Sequence, residues 1–141
     1  MSALSDLAQQ LRSEATPVSP HVVDPSPEQA FAPEGDYAPI LEAVREGHQL
    51  HYSTSRLLKG HDEDLALLAG DYLYALGIKK LAALGDSDAV LVLADLISAS
   101  AQLHTEGRRD ELPDLWRRAA QAVGKGPSRF TSPCSPAPTS W

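Results

Sequence analysis

Cysteine is nearly absent from this chain. Cys134 stands alone, so no internal disulfide framework can staple the fold. Basic residues are outnumbered: 12 Lys and Arg face 19 Asp and Glu, for a formal net charge of -7. That balance excludes a broad basic surface for nucleic acid. It also disfavours adsorption to anionic membranes. No apolar run reaches the roughly 20 residues that cross a bilayer, so no transmembrane segment is expected. No β-type alternation of useful length appears. A glycine-rich phosphate loop is missing too, because Gly124 and Gly126 precede no helix. The opening SALSDLAQQL carries an early acid and lacks the basic-then-apolar order of a secretory signal. A cytoplasmic location is therefore expected.

The 141 residues suit one small domain with a modest core. Three regions differ in character. Residues 1–35 combine a short amphipathic run (Leu4, Leu7, Ala8, Leu11) with a proline-rich stretch holding Pro17, Pro20, Pro25, Pro27 and Pro33. The run is too short to be helical alone in water, so it needs a surface to dock on. The prolines break any helix and predict an extended linker, laid on the body through Val22, Val23 and Phe31. Residues 36–123 form the helical domain. Residues 124–141 read as a flexible tail.

Within the body, spacing of three and four predicts a helix from about Pro39 to Leu58, with Ile40, Leu41, Val44, His48, His51 and Tyr52 on one face. Asp36 is its expected cap and Gly60 its stop. A second helix is predicted from about Asp62 to Leu84, with three acids in its first turn. Its stripe is Leu65, Leu68, Ala69, Tyr72, Leu73 and Leu76, widened by Leu67, Tyr74, Ile78 and Leu81. So little of it is polar that it is expected at the centre of the bundle. A third helix runs to about Glu106 on a face of Val90, Leu93, Ala94, Ile97 and Ala101. A last one, from about Glu111 to Val123, uses Leu112, Leu115, Trp116, Ala119 and Val123. The short connection after the second helix predicts an antiparallel hairpin with the third. The expected fold is thus an all-α small helical bundle built on an antiparallel helical hairpin.

Candidate sites follow from residue types. Asp71 lies between Gly70 and Tyr72 in an apolar run; an unpaired buried carboxylate there is costly, so it reaches water or a donor across an interface. Tyr72 and Tyr74 point to different sides of one helix, so one can fill core while the other meets a partner. Trp116 beside Arg117 and Arg118 offers a docking edge, against the plainer reading of a core tryptophan. Asp62 and Asp64, and the pair His48 and His51 one turn apart, are weak metal candidates. They lack the spacing of a zinc signature, and no metal site is assigned. No base and acid assemble around Ser53, Ser55 or Ser98, so no catalytic residue is assigned and no cofactor is expected.

The stretch Leu67–Asp86, and within it Ala69-Gly70-Asp71-Tyr72-Leu73, resembles a helix of the trans-isoprenyl (polyprenyl) diphosphate synthases. Ala101–Arg108 looks like a later glutamine- and glutamate-bearing helix of that family. The resemblance implies an all-helical, often dimeric fold, and Mg²⁺-dependent condensation of isopentenyl and allylic diphosphates. The family's two aspartate-rich motifs are missing; the nearest fragment is His61-Asp62-Glu63-Asp64. A shortened relative without them would be a non-catalytic subunit. The expected function is therefore an accessory or interaction subunit, through a protein partner or self-association. Mg-dependent prenyl diphosphate binding or transfer, and a structural helical homo-oligomer, are the alternatives.

Overall fold

The computed structural model describes residues 2–33 and 35–123. The five α-helices among them are α1 Ala3–Ser13, α2 Ala38–Tyr52, α3 Glu63–Leu84, α4 Ser87–Thr105 and α5 Leu112–Ala122. Short 3-10 turns occupy Ser19–His21, Pro27–Gln29 and Arg109–Glu111. No strand occurs among the described residues; one isolated antiparallel bridge joins Val22 to Leu58. The protein is an all-α small helical bundle, as its periodicity predicts. It divides into two compact units, one ending at Leu84 and the other starting at Gly85. The expected tail from 124 to 141, with Cys134, lies outside the described residues.

In the first unit, α1 does dock on the body. Its N-terminus is capped by Ser2, whose hydroxyl accepts from the Ser5 N–H at 3.1 Å. Leu4, Leu7, Ala8 and Leu11 are buried in a core with Ala43, Leu50, Leu57, Leu58 and Leu73. A helix too short to persist in water is thus held by one apolar face.

Helices α2 and α3 form an antiparallel pair. Gly47 lies opposite Gly70 and Tyr74, and Gly77 lies opposite Ile40 and Val44. A Cβ on Gly47 would sit 2.9 Å from the Gly70 carbonyl oxygen and 2.8 Å from Tyr74 Cδ1. One on Gly77 would sit 2.6 Å from Val44 Cγ2, and one on Gly70 would overlap the His51 ring. These glycines cost helix propensity, roughly 1 kcal/mol each, and in return let two backbones approach. The contact line of α3 is accordingly Ala69, Gly70, Leu73, Gly77 and Leu81. It is rotated one position from the expected stripe, in which Leu68 and Tyr72 were core.

The central helix is α2, which corrects the expectation for α3. Ten of its fifteen residues are buried, including Glu42, Glu46 and His48. It ends at Tyr52 rather than near Leu58, because residues 53–60 turn back over its outer face. Asp36 does not cap it; Tyr37 stands at that position without a side-chain bond.

A buried ion network explains the turn-back. Arg56, on the loop, inserts between two carboxylates of α2. Its Nη1 donates to Glu42 Oε1 and its Nε to Glu46 Oε1, both at 2.9 Å. Glu42 is 1 % exposed and Glu46 0 %. The remaining oxygens are filled by backbone and hydroxyl donors. Phe31 N–H and Ala32 N–H reach Glu42 Oε2 at 2.8 and 3.1 Å. Arg56 N–H reaches Glu46 Oε2 at 3.1 Å, and the Ser55 hydroxyl donates to the same oxygen. Arg56 Nη1 also donates to the Gln29 carbonyl at 2.9 Å.

That network fixes the linker as well. The proline-rich segment is strapped across α2 by Phe31 and Ala32 on Glu42, and the Arg45 guanidinium lies 5.3 Å from the Phe31 ring centroid. Upstream, Val23 N–H donates to the Leu57 carbonyl at 2.8 Å and Lys59 N–H to the His21 carbonyl at 3.0 Å. Arg45 is pushed below the usual arginine value by burial first, then by the charge of Arg56, against the opposing pull of Glu42 and Glu46.

In the second unit, Asp86 caps α4 by accepting from Ala89 N–H at 3.0 Å. Gly107 ends it with φ +74°, and Arg108 N–H returns to the Leu103 carbonyl at 2.9 Å, a left-handed helix stop. The buried line is Ala89, Val92, Leu93, Leu96, Ala99, Ser100 and Leu103. It shares only Leu93 with the expected face. Helix α5 packs on α4 and buries Leu115, Trp116, Ala119 and Ala122.

Two predictions follow from these contacts. Gly47→Ala is expected to lower stability by about 1 kcal/mol, because overpacking outweighs the gain in helix propensity; a shifted urea midpoint at constant slope reads this. Arg56→Leu strands two buried carboxylates and is expected to cost about 3–5 kcal/mol. Unfolding in urea, followed by helicity, reads the loss as a lowered midpoint.

Candidate interaction surface

Helix α3 starts from an ordinary cap: Asp62 accepts from Leu65 N–H at 2.8 Å, and Glu63 and Asp64 occupy the first turn, where negative charge is favoured. Its Leu- and Ala-rich sequence then supports 22 residues of helix. Only one side meets α2. The other side leaves Leu67 46 %, Leu68 68 % and Tyr72 40 % exposed, and Leu84, at the helix end, is exposed as well. The helix with the most apolar sequence is thus far from the most buried one.

Beside this strip runs an apolar groove of about 220 Å³, between the Thr16–Val18 turn and α3. Leu11, Pro17, Val18, Leu65, Leu68 and Tyr72 line it. At its edge the Tyr72 hydroxyl donates to Glu14 Oε2 at 2.6 Å. That hydrogen bond, together with partial burial and the Glu14 charge, pushes the phenol up to about 12.

The predicted residues separate into distinct settings. Asp71 reaches water, its side chain 72 % exposed, and also accepts from His51 Nε2 at 3.1 Å. The same nitrogen lies 3.2 Å from the Leu67 carbonyl; both partners are acceptors, so Nε2 carries the proton. Tyr74 is half-buried in the α2–α3 seam, with its ring 5.2 Å from His51, and does not serve an exposed face. Burial, then the neighbouring Tyr52 and Asp71, hold its phenol above the ordinary value, against the opposing effect of Arg45. His48 is buried with its ring 5.0 Å from Tyr52, while His51 points to Asp71, so the two histidines do not converge. Asp62 is used as a cap, and Asp64 is exposed. Among the described residues no group of three or more His, Cys, Asp or Glu could hold a metal ion.

Trp116 is core in the second unit, 1 % exposed, which is the plainer of its two readings and leaves it out of an interaction surface. The adjacent arginines are internally paired: Arg117 and Arg118 both bind Asp114, and Arg108 binds Glu111 at 2.6 Å. Hydrogen bonds from those arginines hold Asp114 and Glu111 below the usual carboxylate range.

Sequence reasoning missed Glu42, Glu46 and Arg56. Two like charges one turn apart ordinarily mark a solvated face. The available signal was the proline-rich stretch, whose backbone donors need acceptors once the strap lies on the body. A second cleft, of about 500 Å³, opens where the starts of α1 and α2 meet the strap. Its one buried carboxylate is Glu42, already bonded to Phe31, Ala32 and Arg56.

No helix among the described residues is long and apolar enough to cross a membrane. Comparison with protein-family models, curated proteins and solved structures finds no match for the chain.

The Tyr72–Glu14 contact yields a titration test. A phenol held above its ordinary value of about 10 stabilises the fold below that pH. The contribution is lost as pH rises towards about 12. Glu14→Gln is expected to bring the phenolate absorbance transition of Tyr72 back towards the ordinary value, and Tyr72→Phe to remove it.

Proposed function

We propose that this protein is an interaction subunit that binds another protein chain through the outer face of α3. One observation carries the reading: the most apolar helix exposes Leu67, Leu68 and Tyr72 beside an apolar groove. Large contiguous apolar patches on a folded surface mark interaction sites. Tyrosine and leucine flanked by a groove suit such a contact, because a partner side chain can seat in the groove while the phenol stays hydrogen-bonded at the rim. The resemblance of Ala69–Leu73 to polyprenyl diphosphate synthases makes a catalytic subunit of that class the first partner to test. A non-catalytic role is supported by the use of Asp62 as the cap of α3 and of Asp71 as the partner of His51.

Leu68→Glu combined with Tyr72→Ser is the direct test. In extracts of the source cells the native chain should migrate in a complex well above its own mass, and the variant should migrate as the free chain. Helicity should be unchanged, and the loss of stability should be no more than about 1.5 kcal/mol, the worth of the Tyr72–Glu14 hydrogen bond. Free migration of the native chain would contradict the reading.

A further inference from the structure

Resting on that reading, we infer that the outer face of α3 pairs with α3 of a second copy of this chain, antiparallel about a two-fold axis near Asp71 and Tyr72. The exposed positions of α3 include Asp64, Leu68, Asp71, Ala75, Lys79 and Ala82. They are spaced by three or four residues, so they lie along one side of the helix. The charges on this line are segregated. Asp62, Glu63 and Asp64 are exposed at the start, and Lys79 is exposed about 22 Å further along, at 1.5 Å per residue. A parallel copy would set acid against acid. An antiparallel copy sets Asp64 against Lys79 of the second chain, and by symmetry Lys79 against Asp64.

The same register sets the middle of the helix, while Ala82 lies beyond the start of the second copy's α3. Leu68 falls opposite Ala75 of the second copy, a large side chain over a small one. Asp71 is turned towards its own His51, at 3.1 Å, which leaves Tyr72 nearest the axis. A two-fold contact of this kind is self-complementary, because each patch carries both halves of every pair. The basic end is supplied from the chain itself, as Lys80 is tied at 3.3 Å to Gln10 of α1 and leaves Lys79 for the outer face.

The test is sedimentation of the purified full chain across micromolar concentrations. The native protein should form a dimer that weakens with added salt. Asp64→Lys and Lys79→Glu, each alone, should weaken self-association by about tenfold or more, since each makes two like-charge contacts. Mixing those two variants should restore dimer, because the mixed pair satisfies both contacts. The double variant should restore it as well. Self-association unaffected by either reversal, or reversals that are not rescued by mixing, would overturn the pairing. A purified chain that stays monomeric while its complex in cell extracts remains sensitive to Leu68→Glu would overturn the self-pairing and leave the interaction reading standing. A monomer in both settings would overturn both.

Discussion

The first unit is organised around one buried cation. Arg56 sits between Glu42 and Glu46, with both carboxylates almost wholly removed from water. Such charges are tolerable only when fully paired and hydrogen-bonded, and here the bonded groups come from three separate pieces of chain. Gln29, Phe31 and Ala32 belong to the strap, Ser55 and Arg56 to the loop, and the acids to α2. The network therefore does what a disulfide or metal would do in a chain with a single cysteine: it fixes distant backbone segments relative to one helix.

From that constraint follows the unequal treatment of the two long helices. Strap, loop and α1 all close over α2, which becomes buried on nearly every side. Helix α3 contacts α2 along a line of small residues, where Gly47 and Gly70 bring the backbones together. A glycine contact buries little side chain, so α3 keeps Leu67, Leu68 and Tyr72 on the outside. The exposed apolar face is a consequence of how the core is closed.

The sequence made the fold class and the helix positions legible. The apolar run of α1, the acid-rich start of α3 and the end of α4 near Glu106 all correspond to elements in the structure. Faces were harder. Periodicity counts apolar side chains and treats Gly70 and Gly77 as blanks, although they are the contact line, so the stripe of α3 was placed one position off. On α4 the expected line of Val90, Ala94 and Ile97 gives way to Val92, Leu96 and Ala99, because Val, Leu, Ile and Ala lie on both sides of the line of Asp88, Asp95 and Gln102. The site was legible only in part. Tyr72 was identified as an interaction residue and is exposed, whereas Tyr74 and Trp116 are packed inside. Arg56 was hidden because its partners lie 10 and 14 residues earlier, and because charged residues are ordinarily read as surface.

The strap, the network and the exposed helix together describe a first unit that presents the apolar face of α3. Hydroxyl-radical footprinting of the purified chain at low and high concentration tests that claim most directly. The account predicts that Leu67, Leu68 and Tyr72 lose reactivity as concentration rises, while exposed Leu91 keeps its own. Equal reactivity of α3 at both concentrations, or protection confined to residues away from α3, would contradict it.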